Sequence, residues 1–399
     1  MCIRDSFCIE GGDEVIGQLP SGLNKLNPSV QAIDLYSGSV TTLLRGMNRC
    51  DGIRTTAWGT VLATEETGDG QAYEIIDPLG FENHTVVDRA AGTVVDMNGG
   101  ASDKVVKRDA LPTMAWEGLT VLDSGVVIGG DELRPGDWDL KGDGGDDPDV
   151  DGGAIFKFVP SDPAKGGVIG DLSQSPLVAG SVYAFRASCR EGTSGSFTVN
   201  YGQGCEIGNG SWVEVAAATA RRDANNFGAT GYYRPEDLHK DPVYEGEGVR
   251  FCWANTGREA AQNYGEVICG IDSDPMLADE TVASVVVNRF VEGDADFNSL
   301  DNLAFQPVTG NLYVIEDHSN GDIFACLPDG GDRDIKTDGC VKILSVKDQS
   351  AEPTGFEFTG DGRAAIVAIQ HSDDDFMPKY DDYGTDDILI ITGFKVKKD

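Results

Sequence analysis

The sequence predicts an all-β fold, and within that class a β-propeller of six blades with loop insertions. Glycine is frequent, at 52 of 399 residues. Short apolar runs alternate with turn residues, as in sheet proteins. A loose repeat of paired strands also recurs along the chain, and blade-sized repeats of four strands are typical of propellers. A β-sandwich array is the structural alternative.

Five runs are typical of buried strands because they are apolar and bounded by turn residues. They cover residues 59–64, 125–129, 154–159, 310–315 and 364–369. The 3.6-residue period of an amphipathic helix is almost absent. Short helices are expected in only two places, residues 211–225 and the turn after Pro235.

Acidic residues recur at matching places in the repeat. The anchors at the start of a repeat unit are Glu117, Glu236, Asp301 (followed by Asn302) and Glu352, and the paired strand of the first unit ends in Asp131 and Glu132. In a propeller the innermost strands line a central channel, so these side chains would meet at one mouth of it. Converging carboxylates repel one another unless a cation neutralises them, and Ca²⁺ favours oxygen ligands. We therefore expect a Ca²⁺ site at the channel mouth.

The net charge of the chain argues against some classes of binding partner. The chain carries 31 basic and 67 acidic side chains, for a net charge of −36. Such a field repels phosphate backbones and anionic lipids, so no nucleic-acid partner is expected. It attracts cations, although solubility in salty surroundings explains the charge equally well. The sequence has no apolar run long enough for a transmembrane helix, so no membrane span is expected.

We expect one propeller domain over residues 31–399, with insertions near 134–152 and 190–228. Residues 1–30 form a separate N-terminal segment in this interpretation. The first eight residues lack the basic and apolar regions of a signal peptide. The N-terminus therefore reads as truncated or altered, and an export signal is not visible.

The nine cysteines contain no C-x-x-C pair, which argues against a zinc ribbon or a thioredoxin-type site. Six of them form close pairs: Cys189/Cys205, Cys252/Cys269 and Cys326/Cys340. Each pair could bridge neighbouring strands in an oxidising compartment. Buried free thiols are the alternative.

Five motifs between residues 50 and 375 carry a family resemblance. They are Thr56-Ala57-Trp58-Gly59-Thr60-Val61-Leu62-Ala63-Thr64-Glu65-Glu66, Trp116-Glu117-Gly118, Arg234-Pro235-Glu236-Asp237, Asp301-Asn302-Leu303-Ala304-Phe305, and Glu352-Pro353-Thr354-Gly355-Phe356-Glu357-Phe358 with the later Ile369-Gln370-His371. In content and order they resemble PhoX-type alkaline phosphatases. The first three follow that family's T-P-W-G-T-x-L-x-C-E-E, H-E-G-type and R-P-E elements.

The resemblance implies a six-bladed, exported propeller that hydrolyses phosphate esters with calcium and iron at the channel mouth. Glu65, Glu66, Glu117 and Glu236 stand where the family has metal-binding acids. Arg234 stands where an arginine faces the phosphate, and its fork can pair two phosphoryl oxygens. Catalytic roles are therefore expected for Arg234, Glu117 and Glu236.

The expected metal-site residues are Glu65, Glu66, Glu117, Asp131, Glu132, Glu236, Asp301, Asn302 and Glu352. Thr64 stands in place of the family's iron-ligating cysteine, and a hydroxyl is a poor substitute for thiolate on iron. Ala57 and Trp116 also replace the usual proline and histidine. We therefore expect calcium to be retained and iron (Fe³⁺) to be lost.

The sequence thus predicts a metal-dependent phosphoric ester hydrolase that acts on a small phosphorylated substrate. The protein is expected to be a periplasmic or extracellular monomer. One alternative is a catalytically silent calcium-binding propeller that serves as an interaction module. Another is a propeller lactonase or esterase.

Overall fold

The computed structural model describes residues 4–148, 150–187, 207–328, 339–370, 378–384 and 386–396. Nearly all of its regular structure is strand, as the sequence predicts. Helix is confined, in these ranges, to α1 (Ala220–Asn226) and four 3-10 turns, Leu172–Gln174, Pro176–Val178, Ala217–Thr219 and Glu259–Ala261. No described helix is both long enough and apolar enough to cross a bilayer.

The strands follow one another in chain order. The first eleven are β1 (Arg4–Cys8), β2 (Val15–Gln18), β3 (Asn24–Leu26), β4 (Pro28–Asp34), β5 (Val40–Arg45), β6 (Cys50–Thr55), β7 (Thr60–Glu65), β8 (Ala72–Ile76), β9 (His84–Asp88), β10 (Thr93–Val95) and β11 (Val105–Lys107). The next nine are β12 (Trp116–Val121), β13 (Val127–Asp131), β14 (Ile155–Pro160), β15 (Gly180–Ala187), β16 (Gly208–Val215), β17 (Pro235–Lys240), β18 (Val249–Asn255), β19 (Glu266–Asp272) and β20 (Val285–Glu292). The last nine are β21 (Leu300–Phe305), β22 (Leu312–Glu316), β23 (Asp322–Cys326), β24 (Val341–Ser345), β25 (Glu352–Phe358), β26 (Ala364–Gln370), β27 (Lys379–Tyr380), β28 (Tyr383–Gly384) and β29 (Asp387–Thr392).

Five main sheets form from these strands, with β2-β3 and β27-β28 as small hairpins. Their orders are β1-β4-β5-β9-β10, β6-β7-β8-β11, β12-β13-β14-β15-β16-β20-β19-β18-β17, β21-β22-β23-β24 and β25-β26-β29. The strands β1, β6, β12, β17, β21 and β25 each end a sheet, and successive members of this series contact one another. A series of sheets packed side by side through one edge strand each is the arrangement of a β-propeller. The predicted count of six blades stays a prediction, because one hydrogen-bond ladder runs through the nine-stranded sheet.

The two ends of the chain meet. The Lys25 ammonium pairs with Asp381 at 2.7 Å and with Asp382 at 2.6 Å. The buried Arg45 guanidinium also pairs with Asp381. These contacts join the first sheet to the segment between β26 and β29. Within residues 1–30, β1 pairs with β4 and belongs to the first sheet. The predicted domain boundary at residue 30 stays a prediction.

The cysteine pairs are confirmed where the structure describes them. Disulfides join Cys252 to Cys269 on neighbouring strands and Cys326 to Cys340. The pair Cys189/Cys205, like His371, lies outside the described residues. A third disulfide, Cys8–Cys50, was not expected and ties β1 to β6.

The expected helix over residues 211–225 is wrong over its first part, and so is the one after Pro235. Residues up to Val215 belong to β16, in which Trp212 is buried on one face and Val213 and Val215 on the other. Pro235 begins β17 rather than a helical turn. Proline is tolerated as the first residue of a strand, where no ladder hydrogen bond needs its nitrogen.

A buried ion pair joins the two halves of the nine-stranded sheet. The Lys157 ammonium on β14 donates to Asp272 on β19 at 2.8 Å and to the Leu277 carbonyl at 2.7 Å. The Trp212 indole N–H donates to the same carboxylate at 3.0 Å, and Lys157 also lies over the Trp212 ring. Both charged side chains are fully buried. Each buried charge is therefore neutralised by the other.

We expect Lys157→Met to lower the free energy of unfolding by about 3–5 kcal/mol, because it leaves the Asp272 carboxylate buried without its partner. The double variant Lys157→Met/Asp272→Asn should recover most of that loss, since neither charge is then buried. Urea unfolding with an unchanged m-value measures both. Equal losses in the single and double variants would contradict this account.

Candidate functional site

Five of the six edge strands, β6, β12, β17, β21 and β25, share a β-bulge at one end. The paired register shifts by one residue between Cys50 and Ile53, Trp116 and Leu119, Pro235 and Leu238, Leu300 and Leu303, and Thr354 and Glu357. A bulge bends its strand and re-aims a side chain. We call the bulged end of these strands the mouth.

In four of the five strands, the first bulged residue is acidic. These residues are Asp51, Glu117, Glu236 and Asp301. In β25 the equivalent position is Gly355, so Glu352 lies three residues before it. The Glu352 carboxylate instead accepts a 2.7 Å hydrogen bond from the Gln370 amide on β26. The structure therefore brings Glu117, Glu236 and Asp301 together and leaves Glu352 outside the group.

Six carboxylates form two adjoining groups at the mouth. One group is Glu117, Glu236 and Asp301, and the other is Glu10, Asp51 and Glu66; within each, one oxygen per residue lies within 4.8 Å of the others. Asp51 and Glu117 lie close enough for their carboxylates to interact, which links the two groups. Each group could hold one metal ion.

Burial and mutual repulsion shift the titration of these acids. Burial, reinforced by neighbouring carboxylates, raises the pKa of Asp51 to about 7, that of Glu66 to about 10 and that of Glu236 to about 8. The same two causes raise the pKa of Glu117 and of Asp301 well above the usual range. Ionising these carboxylates costs free energy, because they are buried and repel one another. A bound cation would offset that cost.

Two of the strands paired with inner strands, β7 and β13, end in a residue that braces a neighbouring loop. Glu65 accepts hydrogen bonds from the backbone N–H of Asn48 at 2.8 Å and from Arg89 at 2.8 Å. Asp131 accepts from the N–H of Ala115 at 3.0 Å and pairs with the buried Arg221. These two carboxylates hold the loops that enter β6 and β12, and neither belongs to the two acidic groups.

The residue directly after the last residue of β7, β13, β18 or β22 contacts the site instead. Glu66 is a member of one acidic group, and Glu132 accepts from the Arg234 guanidinium at 2.6 Å. The Thr256 hydroxyl donates to Glu236 at 2.6 Å. Asp317 lies 3.5 Å from Arg234. Residues in this position therefore add charge or hydrogen bonds to the site.

Arg234 is a cation that contacts three carboxylates at the mouth. Its guanidinium contacts Glu132, Glu236 at 3.0 Å and Asp317. Burial alone would lower the pKa of Arg234, but the carboxylates Glu236 and Glu132 outweigh it and raise the pKa above its ordinary value. Arg234 thus stays charged and lies directly beside the acidic groups.

Two other residues at the bulges have structural partners. The Asn302 amide oxygen accepts from the Thr354 hydroxyl at 2.7 Å and from the Gly355 N–H, which ties β21 to β25. Asp237 pairs with Arg54 and His239, each at 2.9 Å. Burial would raise the pKa of Asp237, but these two partners outweigh it and lower the pKa.

Sequence reasoning missed Asp51 and Glu10. The signal for Asp51 was present, since Cys50-Asp51-Gly52 repeats the apolar–acid–glycine pattern of Trp116-Glu117-Gly118. Glu10 carries no such signal. It reaches the mouth because the Cys8–Cys50 disulfide and the Arg49 guanidinium, 2.6 Å from its carboxylate, hold the chain after β1 there.

The donor set fits a hard cation. Both groups consist of carboxylates, the ligands that Ca²⁺ prefers. Thr64, which replaces the family cysteine, is buried and donates to the Gly52 carbonyl at 2.9 Å. The soft thiolate ligand that suits iron is therefore missing at that position.

A sequence comparison supports the family resemblance. The model of the alkaline phosphatase PhoX family matches residues 144–373, more than half of the chain. This range contains the motifs at Arg234, Asp301 and Glu352 and begins after the two earlier ones. No curated protein matches the chain in sequence.

Solved structures show only distant likenesses. Hydrazine synthase of Kuenenia stuttgartiensis is 12% identical with a TM-score of 0.42, over 96% of this chain and 98% of that one. The PQQ-bound aldose sugar dehydrogenase of Streptomyces coelicolor is 12% identical with a TM-score of 0.42, over 98% of both chains. A Dos1 propeller is 10% identical with a TM-score of 0.36, over 98% of this chain and 74% of that one. None of these likenesses bears on activity.

The raised pKa values predict an unusual pH dependence of stability when divalent cations are removed. Acids whose folded pKa exceeds the unfolded value of about 4 hold more protons in the folded state. In chelator, stability should therefore fall as pH rises from 5 to 8, by about 5 °C in Tm, and calcium should remove most of that fall. Differential scanning calorimetry measures both slopes.

Glu117→Gln should flatten the slope in chelator and weaken the stabilisation by calcium. The matched control is Asp123→Asn, which removes an exposed acid that takes part in none of the ion pairs described above. It should keep the wild-type slope. A Tm in chelator that does not change with pH, or the same slope with and without calcium, would contradict the repulsion argument.

Proposed function

The chain belongs to the PhoX alkaline phosphatase family, and from that premise we propose that it is a calcium-dependent phosphoric ester hydrolase. The observation that carries the proposal is the position of Arg234. Its guanidinium lies 3.0 Å from Glu236, a member of the acidic groups, and it lines a cavity of about 360 Å³ at the mouth. Glu66, a member of the other acidic group, lines the same cavity. A guanidinium that can donate to phosphate and a candidate cation site therefore border the same space.

Arg234 would bind the phosphoryl group of a small phosphorylated substrate. Its planar fork can donate to two phosphoryl oxygens and oppose the charge that develops on them during transfer. Glu132 holds the guanidinium through Nε and Asp317 approaches Nη2. The arginine is therefore positioned before the substrate arrives, which limits the reorganisation needed for reaction.

Glu117 and Glu236 would hold the cation and orient the attacking water. Glu236 Oε1 accepts a hydrogen bond from the Thr256 hydroxyl and pairs with the Arg234 guanidinium. These two partners set the orientation of the Glu236 carboxylate. Glu117 is buried beside Asp51 and can accept a hydrogen bond from water at the same place. When bound, calcium supplies the positive charge that polarises the phosphoryl oxygens and offsets the field of a protein at −36.

The cofactor proposal is calcium without iron. The proposed ligands are the six carboxylates of the two groups, with Glu132 next to them. The missing thiolate at Thr64 also supports the second candidate, a catalytically silent calcium-binding propeller. A lactonase or esterase activity stays a third possibility that a lactone panel would test.

The proposed location is the periplasm or the extracellular space. Three disulfides are present in the described part of the chain, and disulfides persist in oxidising compartments. The protein is proposed to act as a monomer, as the sequence analysis expects.

Arg234→Ala should lower kcat/KM for p-nitrophenyl phosphate by about 100-fold in the presence of calcium, because it removes a charged donor to the transition state. Arg134→Ala is the matched control. Arg134 lines the same cavity with a side chain 47% exposed and is 4.0 Å from its nearest acid, Asp137. Equal, slow rates in wild type and Arg234→Ala would reject catalysis at this site and leave the silent calcium-binding protein.

Purified protein should contain calcium and no stoichiometric iron, because the ligands are carboxylates and Thr64 supplies no thiolate. Elemental analysis by mass spectrometry, before and after dialysis against chelator, measures this. Stoichiometric iron with no calcium would reject the cofactor proposal.

A further inference from the structure

Arg49 and Arg234 occupy equivalent positions in two different sheets. Each directly precedes the first residue of an inner strand, β6 or β17. Each has a left-handed backbone conformation, with φ of 54° and 58°, which is uncommon for a residue other than glycine. The Arg49 carbonyl accepts from the Glu66 N–H at 2.8 Å, and the Arg234 carbonyl accepts from the Thr256 N–H at 3.1 Å.

Both side chains reach the same space. Arg49 and Arg234 line the cavity of about 360 Å³ at the mouth. The Arg49 side chain is 50% exposed, against 17% for Arg234. Arg49 is therefore the more accessible of the two to an incoming anion.

The contacts of Arg49 resemble those of Arg234. Its guanidinium pairs with Glu10 at 2.6 Å and with Glu66 at 2.7 Å, two members of one acidic group. Burial would lower the pKa of Arg49, but these carboxylates outweigh it and raise the pKa, so the side chain stays charged. Each arginine thus lies beside a different part of the acidic mouth.

We propose that Arg49 is a second phosphate-binding arginine that acts together with Arg234. This inference rests on the proposed function. A phosphomonoester dianion offers three non-bridging oxygens, whereas a diester offers two and carries a single negative charge. Two guanidinium forks therefore match a monoester better than a diester.

Arg49 also makes phosphate binding depend on the cation. Glu10 and Glu66 are its partners and belong, with Asp51, to a group that could hold a metal ion. A cation at this group would compete for the same carboxylate oxygens and leave the Arg49 donors available to phosphate. Calcium should then strengthen phosphate binding, and phosphate should strengthen calcium binding by the same factor.

The test is isothermal titration of inorganic phosphate into the full chain, with saturating calcium and without it. Arg49→Ala should weaken phosphate binding about tenfold in calcium, because a charge-assisted contact is lost. Arg134→Ala, from the same cavity, should change the Kd less than twofold. Arg49→Ala should also reduce the calcium dependence of the phosphate Kd and lower the ratio of monoester to diester hydrolysis.

Arg49→Lys is a second variant in case the alanine variant misfolds, because it keeps the charge but loses the guanidinium fork. We expect it to bind phosphate severalfold more weakly than wild type. An unchanged phosphate Kd in folded Arg49→Ala or Arg49→Lys would overturn the inference, and so would equal losses in Arg49→Ala and Arg134→Ala. If wild type hydrolyses p-nitrophenyl phosphate and only Arg234→Ala weakens binding, the proposed function stands and this inference fails. If wild type neither binds phosphate nor hydrolyses the ester, both fail.

Discussion

Repulsion among buried carboxylates is the constraint that the rest of this structure satisfies. Six acidic side chains reach one another at the mouth in two groups, each within 4.8 Å. Burial and neighbouring carboxylates raise the pKa of Asp51, Glu66 and Glu117, so the charged form of these three acids is costly there. Such an arrangement persists only if the surrounding sheets hold it, and Cys8–Cys50 and the bracing hydrogen bonds contribute to that rigidity.

The repeat separates two roles that sit next to each other in the chain. At the end of β7, Glu65 braces a loop while Glu66 joins an acidic group. At the end of β13, Asp131 braces and pairs with Arg221 while Glu132 holds Arg234. Because successive side chains of a strand point to opposite sides, adjacent acids meet different surroundings. Two adjacent acids are therefore not evidence of two metal ligands.

The same geometry explains how a strongly acidic protein could accept an anionic ester. Two arginines, Arg49 and Arg234, border the cavity from equivalent places in the repeat. Three of the carboxylates that pair with them, Glu10, Glu66 and Glu236, belong to the groups that could hold a cation. Under the proposed function, charge balance at the mouth would link the cation, the arginines and the substrate. Thr64 in place of the family cysteine would change the metal that fits rather than this balance.

The sequence by itself predicted the all-β class, the family and two disulfides, and it named Glu117, Glu236, Asp301 and Arg234, whose side chains the structure brings close together. These features are local, because strand periodicity, a short cysteine spacing and an acid beside a turn are legible in consecutive residues. The sequence did not reveal that Glu352 lies three residues before the bulge of its strand, although it stands at the start of its repeat unit like the other anchors.

Only the tertiary structure decided register and long-range partners. The bulge position selects which residue of each inner strand enters the site, and a shift of one residue would turn it to the other face. Glu10 joins Asp51 and Glu66 because a disulfide between residues 42 apart in the sequence and the Arg49 guanidinium hold it there. Lys157 meets Asp272 only because two groups of strands share one sheet. Such pairings depend on how sheets pack, which no local pattern of residues encodes.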